Sequence, residues 1–217
     1  MKIAIDAMGG DHGPIVTMAG LANSISEHPD LEAKVFGSED QVVPFLKEYA
    51  LLRSDRVEFA HTTEIVKMDD KPAIALRSKK DSSMRRAIDS VKNEGCSACV
   101  SAGNTGALMG IARFVLKTMP GISRPAICGS MPGIKKSTRL LDLGANVDCS
   151  SEDLLGFAIM GSVLARYASE IENPRVALLN IGMEEIKGNE QIRRASEILE
   201  ESNINYIGYV EGDDIFK

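Results

Sequence analysis

The sequence predicts an α/β sandwich built on a largely parallel sheet. Two observations carry this. Short β-branched runs alternate along the chain with longer amphipathic segments, the pattern that strands and crossover helices leave in a sequence. Four strand-like runs also end in segments that place Gly beside small or charged polar residues, at 6–14, 101–106, 142–149 and 180–189. Open parallel sheets bind ligands beyond the carboxyl ends of their strands, so four such exits suggest a shared cleft.

The elements follow in order. Residues 2–7 predict a strand, and Pro14 opens a helix, since Pro suits the first helical position. A second strand is expected at 33–36. Ser38 is placed to cap the next helix, with Gln41 as its capping-box partner. Residues 57–60 predict a third strand, and 61–72 are polar and irregular. Two helical pieces follow, the second capped by Ser82. A strand at 96–101, a turn at 103–106 and a helix at 105–117 come next. Runs at 125–130 and 139–143 read as strands around a turn at 131–137, which admits a hairpin and one antiparallel member. Ser151 is expected to cap an apolar helix ending near Glu170. A strand at 175–180, a helix at 189–201 and a strand at 205–210 complete the chain. With no internal repeat, low-complexity tract or clear linker, one domain over 1–217 is expected.

Bulk properties narrow the class. The chain is 44% hydrophobic and 26% charged, ordinary for a soluble globular protein. At 217 residues it buries a sizeable core without staples. Aromatics are few and Trp is absent, so that core rests on Ile, Leu, Val, Met and Ala. A net charge of −6 argues against nonspecific nucleic-acid binding. Cys96, Cys99, Cys128 and Cys149 form no secreted-type framework, and no signal peptide precedes the first strand, so a reducing cytoplasm is the simplest expectation. No run approaches the roughly 20 apolar residues of a membrane-spanning helix; residues 154–165 come nearest, and Gly and Ser interrupt them.

Each Gly-bearing loop has a binding reading and a bland one. In DAMGGDHGP, Gly9 and Gly10 permit close backbone approach, and the helix start at Pro14 offers free N–H groups to an anion. Asp6 and Asp11 are candidates to orient a ligand or a basic side chain, or simply to cap a tight turn. In SAGNTGALM, Ser101, Gly103, Asn104, Thr105 and Gly106 stand where a helix begins. Backbone amides and the Thr105 hydroxyl there can cradle phosphate, or Asn104 and Thr105 can be plain caps. The segment lacks the Gly-Lys-Ser/Thr ending of a Walker A loop. In LLDLGANVDC, Asp142, Gly144 and Asn146 either face the cleft or form an Asx-turn. In LLNIGMEEIKGNE, Lys187 is the sole cation, either holding phosphate as a point charge or paired with a nearby Glu; Asn189 follows it.

Cys96 and Cys99 are spaced C-x-x-C, but across a strand, where residues three apart point to opposite faces; that disfavours a redox pair or a zinc site. Cys149 lies in a loop, and every His lies upstream of it, so covalent Cys catalysis is disfavoured. His12 reads as solvated or hydrogen-bonded, and no metal is expected.

The strings IAIDAMGGDHGP, SMRRA, SAGNTGALM, RPA, LLDLGANVDC and GNE, in this order and spacing, closely resemble the PlsX family of bacterial phosphate acyltransferases, from residue 2 to the end of the chain. The resemblance implies a three-layer α/β/α fold similar to the isocitrate and isopropylmalate dehydrogenases and to phosphotransacetylase. It implies a cytoplasmic homodimer that uses no cofactor and touches the membrane peripherally. Its substrates would be acyl–acyl carrier protein and inorganic phosphate, and its acyl phosphate product would pass to a membrane glycerol-3-phosphate acyltransferase. Two departures stand out. Met183 occupies a position often acidic in the family. Family members also run on by roughly a third of their length, with a D-G-F-x-G-N loop and helices for dimerisation and membrane contact. The resemblance therefore implies a C-terminally incomplete member, less stable and less active than the longer protein.

Phosphate is already a nucleophile at neutral pH, so attack on a thioester needs position and charge compensation more than a strong base. Lys187 is the candidate to hold phosphate or stabilise the oxyanion. Gly103, Asn104, Thr105 and Gly106 would add donors, and Asp6, Asp142 and Asn146 would order loops or the pantetheine arm. Two alternatives stay open: a phosphotransacetylase-like enzyme using acyl-CoA, and a non-catalytic phosphate- or lipid-binding scaffold. A basic patch beside the cleft would favour the carrier protein. Arg77, Lys79, Lys80, Arg85 and Arg86 supply one, unless they are merely a solvated helical face.

Overall fold

The computed structural model describes residues 1–134, 136–181 and 189–217. The chain forms two compact units, Met1–Lys117 and Thr118–Lys217. Lys187, the expected catalytic cation, and Met183 lie outside the described residues.

The first unit runs β1 (Lys2–Asp6), α1 (Pro14–Glu27), β2 (Glu32–Gly37), α2 (Glu39–Glu48), a 3-10 turn (Ala50–Arg53), β3 (Val57–His61), α3 (Pro72–Ser78), α4 (Ser83–Asn93), β4 (Ala98–Val100) and α5 (Thr105–Leu116). Its four strands are parallel, in the order β3-β2-β1-β4. Strand alternation sorts the side chains between two faces. Ile5, Ala7, Ala33 and Val35 pack with Met18, Leu21 and Ile25 of α1 and Val42 of α2. Ala4 and Phe36 point the other way, onto Ala87 of α4. A further layer joins α3, α4 and α5 through Ala75, Met84, Ile88, Ala107 and Ile111. Helices therefore cover both faces, as a parallel sheet requires. Burying a side chain such as Phe36 or Ile25 contributes about 1.5–3 kcal/mol.

The strand order fixes where a site can form. From β1 the chain steps outward through α1 to β2 and through α2 to β3. It then crosses back, by way of α3 and α4, to lay β4 on the far side of β1. The segments leaving β1 and β4 thus depart toward opposite faces, α1 into one layer and α5 into the other. That divergence is the topological switch point of an open α/β sheet.

Several local expectations need correction. Ser38 stands at the N-cap of α2, but its hydroxyl bonds to Asp40 and makes no cap with Gln41. His61 Nδ1 instead accepts the Glu39 N–H at 3.1 Å. Ser82 does cap α4, accepting from Arg85 N at 3.3 Å. Cys96 precedes β4, so strand alternation does not reach it, and both Cys96 and Cys99 pack on the α4 side of the sheet. Burial pushes the Cys99 thiol up to about 12, which leaves it no thiolate for redox chemistry.

The second unit holds the hairpin β5 (Cys128–Met131) and β6 (Thr138–Leu141), then α6 (Ser151–Ala168), β7 (Val176–Leu179), α7 (Glu190–Glu200), β8 (Tyr206–Val210) and a 3-10 turn (Asp214–Phe216). The hairpin is antiparallel, and β7 and β8 pair in parallel. Leu178, Ala195 and Leu199 form its core with Leu154, Leu155 and Ile192. The cap of α6 is Ser150, not Ser151. Ser150 Oγ accepts from Asp153 N, and Asp153 accepts from Ser150 N, both at 3.1 Å. Asp153 can close that capping box, whereas the residue three beyond Ser151 is Leu154. No described helix is long and apolar enough to cross a membrane.

Candidate functional site

The switch point of the first unit brings together two of the loops singled out in the sequence. Asp6 ends β1 with its side chain on the α4 face, and the residue is 2% exposed. Its carboxylate accepts from Ser101 Oγ at 2.6 Å and from Met8 N at 3.3 Å. Ser83 approaches the same carboxyl, outside strict hydrogen-bond geometry. Burial raises the pKa of Asp6 above the usual carboxylate range, opposed by the bonds from Ser101 and the loop amides. Asp6 therefore acts as an internal hub that ties the 6–14 loop to the 101–106 loop.

The glycines make that tie close. A Cβ on Gly9 would stand 2.8 Å from Asp6 Oδ2, 2.8 Å from Gly103 N and 3.1 Å from Ser101 Oγ. Only Gly lets the two backbones lie in contact there. Gly10 adds a left-handed φ of 87°, with Ala102 against it. Asp11 and His12 are exposed at the tip of the loop.

The 101–106 loop delivers the start of α5. Asn104, 7% exposed, caps the helix: its Oδ1 accepts from Ala107 N at 3.0 Å. Its Nδ2 donates to the carbonyls of Lys67 (3.3 Å), Met68 (2.9 Å) and Asp70 (2.9 Å). The Nδ2 donors are thus spent on holding the 67–70 turn to the helix, which leaves the side chain no donor for an anionic ligand. Thr105 and Gly106 are exposed. Their amides precede the first intrahelical bond, from Leu108 N to Asn104 O, and so belong to the unbonded donors of a helix N-terminus. A groove of about 280 Å³ lined by Ile3, Ile5, Val16, Leu21 and Val100 reaches Asp6 and Ala102.

In the second unit the 142–149 loop is braced from within. Asp142 accepts from Ile127 N at 2.8 Å and from Asn146 N at 2.7 Å, and Asn146 Nδ2 donates to Pro125 O at 3.0 Å. Gly144 turns the loop with a φ of 80°. The side chains of Asp142 and Asn146 thus hold the loop's shape. Asn189 caps α7, accepting from Ile192 N at 2.9 Å. Burial and the carboxylates of Asp142 and Asp153 push the Cys149 thiol up, contrary to what a nucleophile needs.

The basic cluster expected at 77–86 is largely neutralised. Lys79 pairs with Asp70, Arg85 with Asp89 at 3.0 Å, and Arg86 with Asp81 at 2.8 Å. Helical spacing and loop carboxylates supply these partners, which leaves Arg77 and Lys80 as its unpaired members among the described residues. Ser83, which opens the SMRRA string, is the residue beside Asp6 to which sequence reasoning assigned no role; only the fold brings it there.

The profile of the fatty acid synthesis protein family matches residues 1–217. The chain belongs to that family. Similar proteins include the phosphate acyltransferase of Methylococcus capsulatus, 55% identical over 99% of this chain and 63% of the relative. Those of Shewanella woodyi and Legionella pneumophila (strain Paris) are 48% and 50% identical over the whole of this chain and 64% of theirs. The chain thus spans a little under two thirds of these relatives' length. Among solved structures, the EutD phosphotransacetylase from Staphylococcus aureus aligns with a TM-score of 0.61 at 20% identity, over 96% of this chain and 67% of that one. That likeness is one of fold. The expected family and fold class are both borne out.

Proposed function

We propose that this protein is a phosphate acyltransferase, making acyl phosphate from acyl–acyl carrier protein and inorganic phosphate in bacterial phospholipid synthesis. The observation that carries this reading is the pair of glycine loops, seated backbone to backbone at the switch point beside the free N-terminal amides of α5. Such amides favour an anion without any metal or cofactor. The apolar groove that reaches the same loops suits the acyl chain. The names of the relatives point the same way.

In this mechanism a phosphate oxygen attacks the thioester carbonyl. The tetrahedral oxyanion collapses, the carbon–sulfur bond breaks, and the pantetheine thiolate leaves and is protonated from solvent. Thr105 and Gly106 donate to phosphate. Asp6, Ser101, Gly9, Gly10 and Gly103 hold the loops in register, and Asn104 fixes the helix start. Lys187 is assigned to phosphate or to the oxyanion; Asp11 shapes its own loop, and Asp142, Gly144, Asn146 and Asn189 shape loops of the second unit. The protein works as a homodimer at the inner face of the membrane and passes its product to a membrane glycerol-3-phosphate acyltransferase.

The test is transfer of labelled phosphate to the acyl group, with carrier-borne and coenzyme A-borne thioesters run in parallel. Label should appear in acyl phosphate from the carrier substrate, and Lys187→Ala should lower its rate by at least tenfold. Transfer from acyl-CoA alone would favour a phosphotransacetylase, and no transfer from either a non-catalytic scaffold.

A further inference from the structure

Resting on that reading, we infer that the segment 67–80 is the docking surface for the acidic acyl carrier. The chain is acidic overall, at −6, yet this segment gathers Lys67, Lys71, Arg77 and Lys80, all exposed and none in an ion pair among the described residues. Asp69 is the exposed carboxylate among them; Asp70 is spent on Lys79. Ile74 and Arg77 fall three residues apart on one exposed side of α3, and Lys71 stands at its N-cap. Another side of α3 buries Ala75 against α4 and α5. Ile74 is 54% exposed and Met68 50%. The surface is therefore a small apolar centre with a cationic surround, complementary to a partner that sets carboxylates around exposed apolar side chains.

Three further features join this surface to the site and hold it in place. Asn104, the cap of α5, bonds the carbonyls of Lys67, Met68 and Asp70, so the turn that carries Lys67 and Met68 is clamped to the helix whose amides face phosphate. A Cβ on Gly106 would stand 2.8 Å from Pro72 Cγ, so the start of α3 lies directly on the start of α5. Lys79 secures the other end, donating to Ile65 O at 2.7 Å and pairing with Asp70. A carrier docked here has its thioester arm beside Thr105 and Gly106. The fixed charges of this surface favour a carrier-borne thioester over a small one, because steering by charge acts on the carrier and not on the acyl group.

The experiment compares Lys71→Glu/Arg77→Glu with the parent protein, and with Lys47→Glu on α2 as a charge control. Carrier-borne and pantetheine-borne acyl thioesters serve as substrates, and binding of the apo-carrier is followed by fluorescence anisotropy. The double variant should lower the ratio of kcat/KM for carrier-borne over pantetheine-borne thioester by on the order of tenfold, through KM and more steeply at low salt. It should weaken apo-carrier binding in step, and Lys47→Glu should do neither. An unchanged ratio and unchanged anisotropy would overturn the assignment. So would loss of binding to anionic phospholipid vesicles with carrier binding intact, which would make this a membrane surface. If the parent forms no acyl phosphate from either thioester, the proposed activity fails, and anisotropy alone then decides the docking surface.

Discussion

Replacing Gly9 by Ala tests the loop contact at the heart of the site. Gly9 has no left-handed φ that would exclude a side chain, so Ala meets no backbone penalty, and the whole effect is steric. Its Cβ would stand at 2.8 Å from Gly103 N and from Asp6 Oδ2, where ordinary contact begins at 3.4 Å. Neither neighbour can swing aside: one is backbone, the other a short buried carboxylate held by Ser101. The loops must separate, at a cost of about 1–3 kcal/mol for overpacking of this kind. Urea unfolding followed by circular dichroism should show that loss, and acyl phosphate formation should fall at least tenfold, since displacement of positioning groups by about 1 Å costs up to ~100-fold. Gly110→Ala is the control. Gly110 lies on α5 with open space around its Cβ, and the exchange should be neutral or stabilise by up to about 1 kcal/mol. A Gly9→Ala protein with the parent's stability and rate would refute the backbone-to-backbone contact as the basis of the site.

Three further outcomes follow from individual side chains. Asn104→Ala leaves the α5 cap and the 67–70 carbonyls without their partner; it should cost about 1–3 kcal/mol and open the 62–71 segment to limited proteolysis. Asp153 bonds Ser123, the Ser150 amide and, at longer range, Arg124, and its carboxyl is held below the usual carboxylate range. Its stabilisation is therefore present at neutral pH and lost as pH falls through that depressed pKa; Asp153→Asn should remove about 1 kcal/mol at pH 7 and flatten the acid limb of the stability curve. Cys149→Ser should keep most of the activity, because the thiol is pushed up rather than down; an acyl adduct trapped on Cys149 by mass spectrometry would contradict this.

The sheet and its helices were legible because alternation and capping are local. Pro14, Ser82 and the apolar runs at 2–7, 33–36 and 57–60 mark their elements without reference to the rest of the chain. The errors fell where a longer-range partner decided the outcome. Ser38 lost its cap to His61, which lies 22 residues beyond Glu39. Ser150 displaced Ser151 because Asp153 completes its box. Of the site, the glycine loops were legible as loops. The sequence did not disclose that Asp6 faces inward to Ser101, 95 residues on, or that Asn104 is consumed by three carbonyls. The basic cluster read as one patch. The fold splits it, pairing Lys79, Arg85 and Arg86 with carboxylates and leaving Arg77 and Lys80 beside Lys67 and Lys71.

In the proposed reaction phosphate itself attacks the thioester at the glycine-loop crevice. The most direct measurement is the stoichiometry of carrier thiol released against acyl phosphate formed, by thiol titration and phosphorus NMR, with and without inorganic phosphate. Direct attack by phosphate gives one acyl phosphate for each thiol, and no thiol release when phosphate is withheld. Thiol released at the same rate without phosphate, with free fatty acid as the product, would contradict it.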